Sequence, residues 1–309
     1  MLSSLPLIGF LLDLLFKDPP HLPHPVRWIG ALLDRLEGWS RKQRLLSLRQ
    51  AGAVSVLAAV GAVASLAWLL VSLPLLGFAA AVYLAYAGLS LAGLLQAARE
   101  VLHHADNGDL ARARSLLGLL VSRDTSQLDR EGVYASLAET VSENFNDGFV
   151  APLFFLLVGG PVTMWAFKTV STVDSMWGYR DAAWKDLGWF GARLDDGLAY
   201  VPARLSSLLL LLAAALTGVN QCRAWRSIAR QAGQLESPNA GWPMATAAWC
   251  LQSTIGGTFV YRGKEKVKPR LGPPDSPWTG RSVRKLLRLV LLAACLGVLL
   301  GQLPLWLLC

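Results

Sequence analysis

A long apolar run between residues 51 and 73 limits the architectures open to this chain. A helix that crosses a bilayer needs about 20 mostly apolar residues, and this run supplies them. Pro74 follows directly, and a second apolar run occupies residues 75–95. The two runs predict a membrane hairpin with almost no connecting loop.

The composition supports a membrane-embedded chain. Charged residues make up only 16% of the 309 residues and hydrophobic residues 53%, whereas soluble domains carry about 25% charged residues. A further strong apolar run spans residues 286–309, and weaker ones span 2–16, 149–167 and 205–219. We therefore predict an all-α, polytopic membrane protein in a single domain, with about three to five apolar helices and re-entrant segments among the weaker runs.

The positive net charge of +8 predicts topology rather than nucleic-acid binding. The basic residues match no nucleic-acid-binding module. They lie mainly in the polar segments 17–50, 96–147 and 220–285, where Lys and Arg mark the cytoplasmic side. We expect a multi-pass protein of the cell (inner, cytoplasmic) membrane, in contact with lipid and without a nucleic-acid partner.

The weaker runs 149–167 and 205–219 allow two topologies. If both span the membrane, segment 168–204 lies outside the cell. If both are re-entrant, every polar segment faces the cytoplasm. Gly159-Gly160-Pro161 lies at the centre of the first run and favours a turn there, and irregular backbone is tolerated at membrane depth when protein surrounds it. We expect the re-entrant arrangement.

Two polar segments predict different local structures. In segment 96–147, Leu110, Leu116, Leu117 and Leu120 recur near helical spacing, which indicates helix. Residues 262–285 are rich in Lys, Arg, Pro and Gly, which indicates an irregular loop.

Three carboxylates recur every four residues at Glu139, Glu143 and Asp147. A helix places them along one face, where like charges repel. A metal ion or a cationic ligand removes that penalty, although a solvated acidic face is the ordinary alternative. Because the cluster adjoins an apolar run, we predict a functional site.

A second group combines acids with cations and a hydroxyl in segment 168–204. Adjacent carboxylates beside arginines suit magnesium together with phosphate, because magnesium takes one or two carboxylates and arginine binds phosphate bidentately. Surface ion pairs are the alternative. The candidates are Lys168, Asp174, Ser175, Arg193, Asp195, Asp196 and Arg204.

Two loop motifs complete the candidates. The proline-rich stretch 18–30 contains His21 and His24, which are ligands, bases or structural residues. The stretch 237–243 has the composition of a tight turn. The sequence has no G-x-x-x-x-G-K-[ST] phosphate loop, no G-x-G-x-x-G fingerprint and no G-x-S-x-G elbow, so a bound nucleotide needs another kind of site.

The order of these motifs resembles the adenosylcobinamide-phosphate synthase family of cobalamin biosynthesis. The chain departs from the family's pattern at Lys17, where Gly is usual, and at Ser171 and Ala199, where Asn is usual. The matching residues are Asp13, Asp18-Pro19, Pro23–Arg27, Ile29-Gly30, Arg123–Thr125, Leu128, Glu139, Glu143-Asn144, Asp147-Gly148, Ala151–Phe154, Gly159-Gly160, Thr172, Asp174–Met176, Gly178-Tyr179, Ala192–Asp196, Pro202–Arg204 and Ser237–Pro243.

The resemblance implies an ATP-dependent ligase that joins adenosylcobyric acid to aminopropanol phosphate, or a related amino-alcohol phosphate, through an amide bond. It implies ATP, Mg²⁺ and a corrinoid as ligands. The expected catalytic residues are Glu139, Glu143, Asp147, Asp174, Asp195 and Asp196, and Glu143, Asp147, Asp195 and Asp196 are the expected magnesium ligands. The expected substrate-binding residues are His24, Arg27, Arg123, Asp124, Asn144, Lys168, Ser175, Arg193, Arg204, Ser237 and Asn239.

Two other classes fit the apolar runs. Broken apolar segments are typical of a transporter or permease for a corrinoid or another anionic substrate. A membrane scaffold without catalysis also fits the topology, but it leaves the acidic clusters unexplained.

Overall fold

A computed structural model describes residues 4–17, 24–219, 224–261 and 264–307 of the chain. Asp18, Pro19, His21 and Pro23 of the proline-rich stretch lie outside the described residues. The described helices before the midpoint of the chain are α1 Leu5–Phe16, α2 Pro25–Lys42, α3 Leu48–Val71, α4 Gly77–Gly88, α5 Leu91–Asp106, α6 Leu110–Leu117 and α7 Arg130–Phe145. A π-helical turn, Asn146–Val150, is followed by α8 Ala151–Trp177, α9 Trp189–Leu198, α10 Tyr200–Leu216, α11 Trp225–Ala232, α12 Gly241–Cys250, β1 Ile255–Tyr261, β2 Lys264–Leu271 and α13 Gly280–Leu307.

The predicted hairpin is present as α3 and α4. Ser47 caps α3: its Oγ accepts a hydrogen bond from the Gln50 backbone N–H at 3.3 Å, and Gln50 Oε1 accepts one from the Ser47 N–H at 3.1 Å. The 24 residues of α3 give a rise of about 36 Å, enough to cross a bilayer. After the break at Pro74, α4 begins at Gly77, where the backbone of Val71 leaves no room for a Cβ atom.

The protein is an all-α polytopic membrane protein, as predicted. Among the described residues, four helical stretches are long and apolar enough to cross a membrane, or five if one bent pair counts as a span. The four are Leu48–Val71, Gly77–Asp106, Arg130–Trp177 and Gly280–Leu303, and the pair is Trp189–Leu198 with Tyr200–Leu216, bent by 43°. The most apolar of them, α3, has only 22% of its apolar window buried. Its leucines therefore form a surface suited to lipid tails.

The chain bends sharply inside α8, at the glycine pair where the sequence predicts a turn. Gly159 and Gly160 both have non-helical backbone angles, and Gly160 has a φ of 71°. Beyond the break, the ring of Phe167 stacks on that of Phe155 with the centroids 4.8 Å apart. A straight helix separates residues twelve apart by about 18 Å, so the two halves of α8 run in different directions. The hydroxyl of Thr163 closes the bend by donating to the Phe155 carbonyl at 2.7 Å.

The chain divides into two compact units, neither of them continuous in sequence. The first contains Met1–Ser90, Ala151–Ala199 and Val298–Cys309. Its core includes the buried side chains of Leu33, Val56, Trp165 and Trp177, contributed by α2, α3 and α8. The indole N–H of Trp165 donates to the carbonyl of Leu84 on α4 at 3.0 Å.

The second unit contains Leu91–Val150 and Tyr200–Gly297. The predicted helical segment 96–147 is present here as α5, α6 and α7. Asp106, at the end of α5, accepts a hydrogen bond from the Tyr134 hydroxyl at 2.6 Å and pairs with Arg284 of α13. These contacts join helices that are far apart in sequence.

The prediction of an irregular loop over 262–285 is wrong for its first part, because β1 and β2 form an antiparallel hairpin. Lys268 pairs with Gly257 across the ladder, and a register shift lies between Ile255 and Gly257. Gly256 has a φ of 101° and lies too close to the Pro269 carbonyl for a Cβ atom. The sequence does not predict this strand, because β2 has a lysine at every second position in place of the alternating apolar residues that indicate a strand.

Candidate functional site

The second unit contains a buried three-residue ion cluster. Glu139 of α7 accepts ionic hydrogen bonds at Oε1 from Arg123 Nη2 at 2.6 Å and from Lys268 Nζ at 2.7 Å. The Glu139 side chain is 2% exposed, that of Arg123 5% and that of Lys268 26%. Burial weakens solvent screening, so these charges interact far more strongly than surface pairs.

Three separate segments bring these side chains together. The helix α7 that carries Glu139 begins at Arg130, and the carboxylate of the preceding N-cap residue, Asp129, accepts a hydrogen bond from the Gly132 N–H at 2.7 Å. Arg123 precedes this helix and donates to Ser136 Oγ at 3.3 Å. Its guanidinium lies 3.9 Å from the ring centroid of Phe259 on β1, which is a cation–π contact.

The other two carboxylates of the predicted stripe lie beside this cluster. Glu143 is half-buried and interacts electrostatically with Glu139, Asp147, Arg123 and Lys268. Glu143 follows Glu139 by one helical turn, as its spacing predicts. The π-helical turn that contains Asp147 then changes the helical period, a local distortion that is frequent at functional sites.

Asn146 fixes the position of this turn. Its side-chain amide donates to Asp147 Oδ1 at 2.7 Å, and its carbonyl oxygen accepts from the Ser206 hydroxyl of α10 at 2.9 Å. Asn146 is 1% exposed. The hydrogen bond between Asn146 and Ser206 therefore joins the acidic stripe to the other sequence stretch of the second unit, which begins at Tyr200.

Lys268 and Phe259 are not among the site residues that the sequence predicts. Both belong to the hairpin, which was predicted to lie in or next to an irregular loop. The available signal was the alternation of Lys264, Lys266 and Lys268, which indicates an extended strand with one charged face.

The second acidic group lies in the first unit. Asp174 of α8 interacts electrostatically with Asp196 of α9 and with Arg180. Asp174, Asp195 and Asp196 are half-buried, and Arg193 is exposed. Asp174 thus lies near a second carboxylate, Asp196, and near the cation Arg180.

Lys168 and Ser175 lie on the same helix as Asp174, in its second half. Lys168 is half-buried, and its carbonyl accepts from the Thr172 hydroxyl at 2.7 Å. Ser175 is exposed, and its hydroxyl donates to the Ser171 carbonyl at 2.9 Å. Ser171, where the family usually has Asn, therefore contributes its backbone here.

Arg204 of α10 lies among aromatic and amide groups of the second unit. Its guanidinium is 3.4 Å from the Tyr200 ring centroid and 4.8 Å from that of Trp242. Nη1 donates to the Tyr200 carbonyl at 2.7 Å and to Asn239 Oδ1 at 3.3 Å. Ser237 Oγ accepts from the Asn239 N–H at 3.3 Å, the side-chain bond of a tight turn. The structure thus brings three predicted substrate-binding residues together.

The remaining candidates lie at the ends of helices or on the surface. His24 caps α2, since its Nδ1 accepts from the Val26 N–H at 3.3 Å, and Arg27 is exposed. Asn144 is exposed and donates to the Thr140 carbonyl at 2.9 Å. Hydrogen bonds from Ser126 hold the pKa of the exposed Asp124 below its usual range.

The acidic stripe contains two carboxylates of the kind that could bind magnesium. Within the described parts of the chain, no three His, Cys, Asp or Glu side chains converge as metal ligands. Glu143 and Asp147 form a pair of half-buried carboxylates, and Mg²⁺ commonly takes one or two carboxylates while water and phosphate supply its other ligands. The residues therefore fit the ion without a full protein cage.

A family profile accounts for nearly the whole chain. The profile of the CobD/Cbib protein family matches residues 6–290. The chain belongs to this family. Membership confirms the resemblance drawn from the motifs, and the CobD/Cbib match includes both acidic groups and the β1–β2 hairpin.

Curated relatives match this chain over nearly their full length. A cobalamin biosynthesis protein CobD from Geobacter metallireducens is 41% identical over 300 residues, which cover 96% of this chain and 94% of the relative. A CobD from Klebsiella pneumoniae is 39% identical, with 95% and 94% covered. A cobalamin biosynthesis protein CbiB from Salmonella typhi is 37% identical, with the same coverage. These relatives support a role in cobalamin biosynthesis. No solved structure gives a significant match.

Proposed function

We propose that this protein is an ATP-dependent ligase that joins adenosylcobyric acid to aminopropanol phosphate, or a related amino-alcohol phosphate, to give adenosylcobinamide phosphate. The observation that carries the proposal is the buried cluster of Arg123, Glu139 and Lys268 beside Glu143, in a chain of the CobD/Cbib family.

The chemistry requires activation of a carboxylate, because an oxide ion is a poor leaving group. In the proposed route, a carboxylate oxygen of the corrinoid attacks the γ-phosphorus of ATP, forming an acyl phosphate and releasing ADP. The amine nitrogen then attacks the acyl carbon, the C–O bond to phosphate breaks, and a base takes the proton from nitrogen. Preorganised charges that stabilise these developing charges are the main source of catalysis in such reactions.

The residues of the second unit supply the required types of group. Glu143 is the candidate base, Glu139 holds Arg123 and Lys268 beside it, and Asp147 is a further proposed catalytic carboxylate. Arg123 and Arg204 provide fixed positive charge. In the first unit, Asp174, Asp195 and Asp196 are proposed catalytic carboxylates, with Asp195 and Asp196 as a second candidate pair of magnesium ligands. The other substrate-binding candidates there are His24, Arg27, Lys168, Ser175 and Arg193.

Magnesium would neutralise charge on the phosphates of ATP. Asp195 and Asp196 would hold it while Glu143 acts as the base, and Glu143 with Asp147 is the alternative pair of ligands if another group is the base. We further propose that the protein resides in the cell membrane with these segments facing the cytoplasm, where ATP is available. Lys and Arg in segments 17–50, 96–147 and 220–285 support that orientation.

The alternative is a transporter for a corrinoid or another anionic substrate. The sharp bend at Gly159 and Gly160 favours it, because broken helices are common in transporters. Covalent change of the substrate separates the two functions.

The test is mass spectrometry of the corrinoid after incubation of purified protein with ATP, Mg²⁺ and candidate amino-alcohol phosphates. We expect the corrinoid to gain the mass of the amine minus water, together with release of ADP. Release of AMP and pyrophosphate would instead indicate that the activated intermediate is an acyl adenylate and not an acyl phosphate. An unchanged corrinoid, together with uptake into vesicles, contradicts the ligase and favours the transporter.

A further inference from the structure

Lys268 is the exposed member of the ion cluster. Its side chain is 26% exposed, whereas those of Arg123 and Glu139 are 5% and 2% exposed. Arg123 is also covered by Phe259 and donates to Ser136. Of the two cations on Glu139, Lys268 is thus the one with substantial solvent-exposed surface.

Glu139 holds two cations, and one of them, Lys268, also interacts with Glu143. One carboxylate oxygen, Oε1, accepts bonds from both cations, at 2.6 Å and 2.7 Å. The other oxygen, Oε2, is buried and accepts no hydrogen bond within the described residues. Arg123 alone would neutralise this carboxylate, and holding a second cation here costs desolvation energy. Lys268 therefore links the buried ion pair to Glu143, the next carboxylate of the acidic stripe.

Both signs of charge are thus available one helical turn apart. Lys268 lies at Glu139, and Glu143 follows Glu139 by four residues, which corresponds to about 6 Å along the helix. Lys268 and Glu143 also interact electrostatically. A ligand complementary to this pair carries a cationic and an anionic group joined by a short linker.

We propose that Lys268 binds the phosphate of the amino-alcohol phosphate while Glu143 faces its amine, so that the β1–β2 hairpin determines the selection of phosphorylated amines. This inference rests on the proposed ligase function. An amino-alcohol phosphate carries its amine and its phosphate on neighbouring carbons, at a separation comparable with one helical turn. An ammonium group is a compact donor for phosphate oxygens.

The test compares a phosphorylated with an unphosphorylated amino alcohol as the amine substrate, in wild type, Lys268→Met and Lys266→Met. Lys266 is a matched control, since it lies two residues away on the same strand and pairs with exposed Glu236 at 2.7 Å. For Lys268→Met, we expect kcat/KM for the phosphorylated amine to fall about 30-fold or more, the usual effect of removing one partner of a buried charge pair. The value for the unphosphorylated amine should change little, and Lys266→Met should match wild type with both amines.

Two further variants and a second measurement distinguish the loss of phosphate binding from unfolding of the protein. Lys268→Gln keeps a polar side chain of similar length and should lose the same discrimination. Lys268→Arg keeps the charge and should recover part of it. Inhibition by inorganic phosphate against the amine should weaken in Lys268→Met and not in Lys266→Met.

Two outcomes overturn the assignment of Lys268 while the ligase function stands. In one, the variant loses activity equally with both amines, which indicates a structural role. In the other, KM for ATP rises and the preference for the phosphorylated amine is retained, which assigns Lys268 to the nucleotide. A wild-type protein that forms no amide from either amine overturns the proposed function itself, and the role of Lys268 with it.

Discussion

Arg123 and Glu139 form a buried ion pair in which Nη2 lies 2.6 Å from Oε1 and both side chains are nearly inaccessible to solvent. The residues come from different segments, a loop and the helix α7, so the pair ties that loop to the helix. Lys268 of the hairpin joins the same carboxylate oxygen. The stability of the second unit and the charge of its candidate site therefore depend on the same carboxylate.

We expect Arg123→Met to lower the stability of the protein by about 3 kcal/mol, because it removes one of the two cations that neutralise the buried Glu139 carboxylate. The measurement is the unfolding midpoint in detergent. Arg112→Met, at an exposed position of α6, is the control and should be near neutral. The double variant Arg123→Met/Glu139→Leu should recover part of the loss, and its failure to do so would contradict the ion-pair explanation.

We expect Glu143→Gln to lower ligase activity at least about 10²-fold, a loss typical of removing a preorganised charge. The substitution keeps the size of the side chain, so the unfolding midpoint should be retained. Glu131→Gln, at an exposed position in the first turn of the same helix, should leave turnover unchanged. Near-normal turnover of a folded Glu143→Gln protein would show that the Glu143 carboxylate is not needed for catalysis.

Arginine-to-lysine changes separate the roles of Arg193 and Arg204. Arg204→Lys should lose the stacking on Tyr200 and Trp242 and the hydrogen bond to Asn239, at a cost of about 1–2 kcal/mol in stability. Arg193 is exposed, so Arg193→Lys should not change stability. If both variants also keep the wild-type affinities for ATP and corrinoid, neither arginine binds substrate bidentately.

A glycine at position 17 should stabilise the protein. Lys17 ends α1 with a φ of 57° and a ψ of −142°, a backbone conformation that strains residues with a Cβ atom. We expect Lys17→Gly to raise stability by about 1 kcal/mol. Lys17→Ala retains the Cβ atom and should give no gain. Equal behaviour of the two variants in thermal unfolding would argue against backbone strain.

Cysteine labelling tests the predicted topology. Position 185 is exposed and lies in segment 168–204, so in a cysteine-free background Lys185→Cys should resist an impermeant reagent in sealed, right-side-out cells. Leu75, 95% exposed in the turn between α3 and α4, provides the control, since Leu75→Cys should react from outside. Labelling at position 185 would place 168–204 outside and make 149–167 and 205–219 spans.

Features set by local spacing were predictable from the sequence. The apolar runs predicted the membrane helices, Pro74 predicted the break between α3 and α4, and Gly159-Gly160 predicted the bend in α8. The four-residue interval between Glu139 and Glu143 placed them on one helix face. Each of these follows from helical geometry or from the conformational limits of proline and glycine, which act within a few residues.

Only the tertiary structure decided which cations meet the acidic stripe. Lys268 is 129 positions from Glu139 in sequence, on a strand whose lysines conceal its pattern, and Phe259 reaches Arg123 from the same hairpin. Likewise, the fold assigns Asp174 and Asp196 to a different unit from Glu143. Contacts of this kind depend on how distant segments pack, because burial and charge pairing are properties of the assembled unit, and no local spacing encodes them.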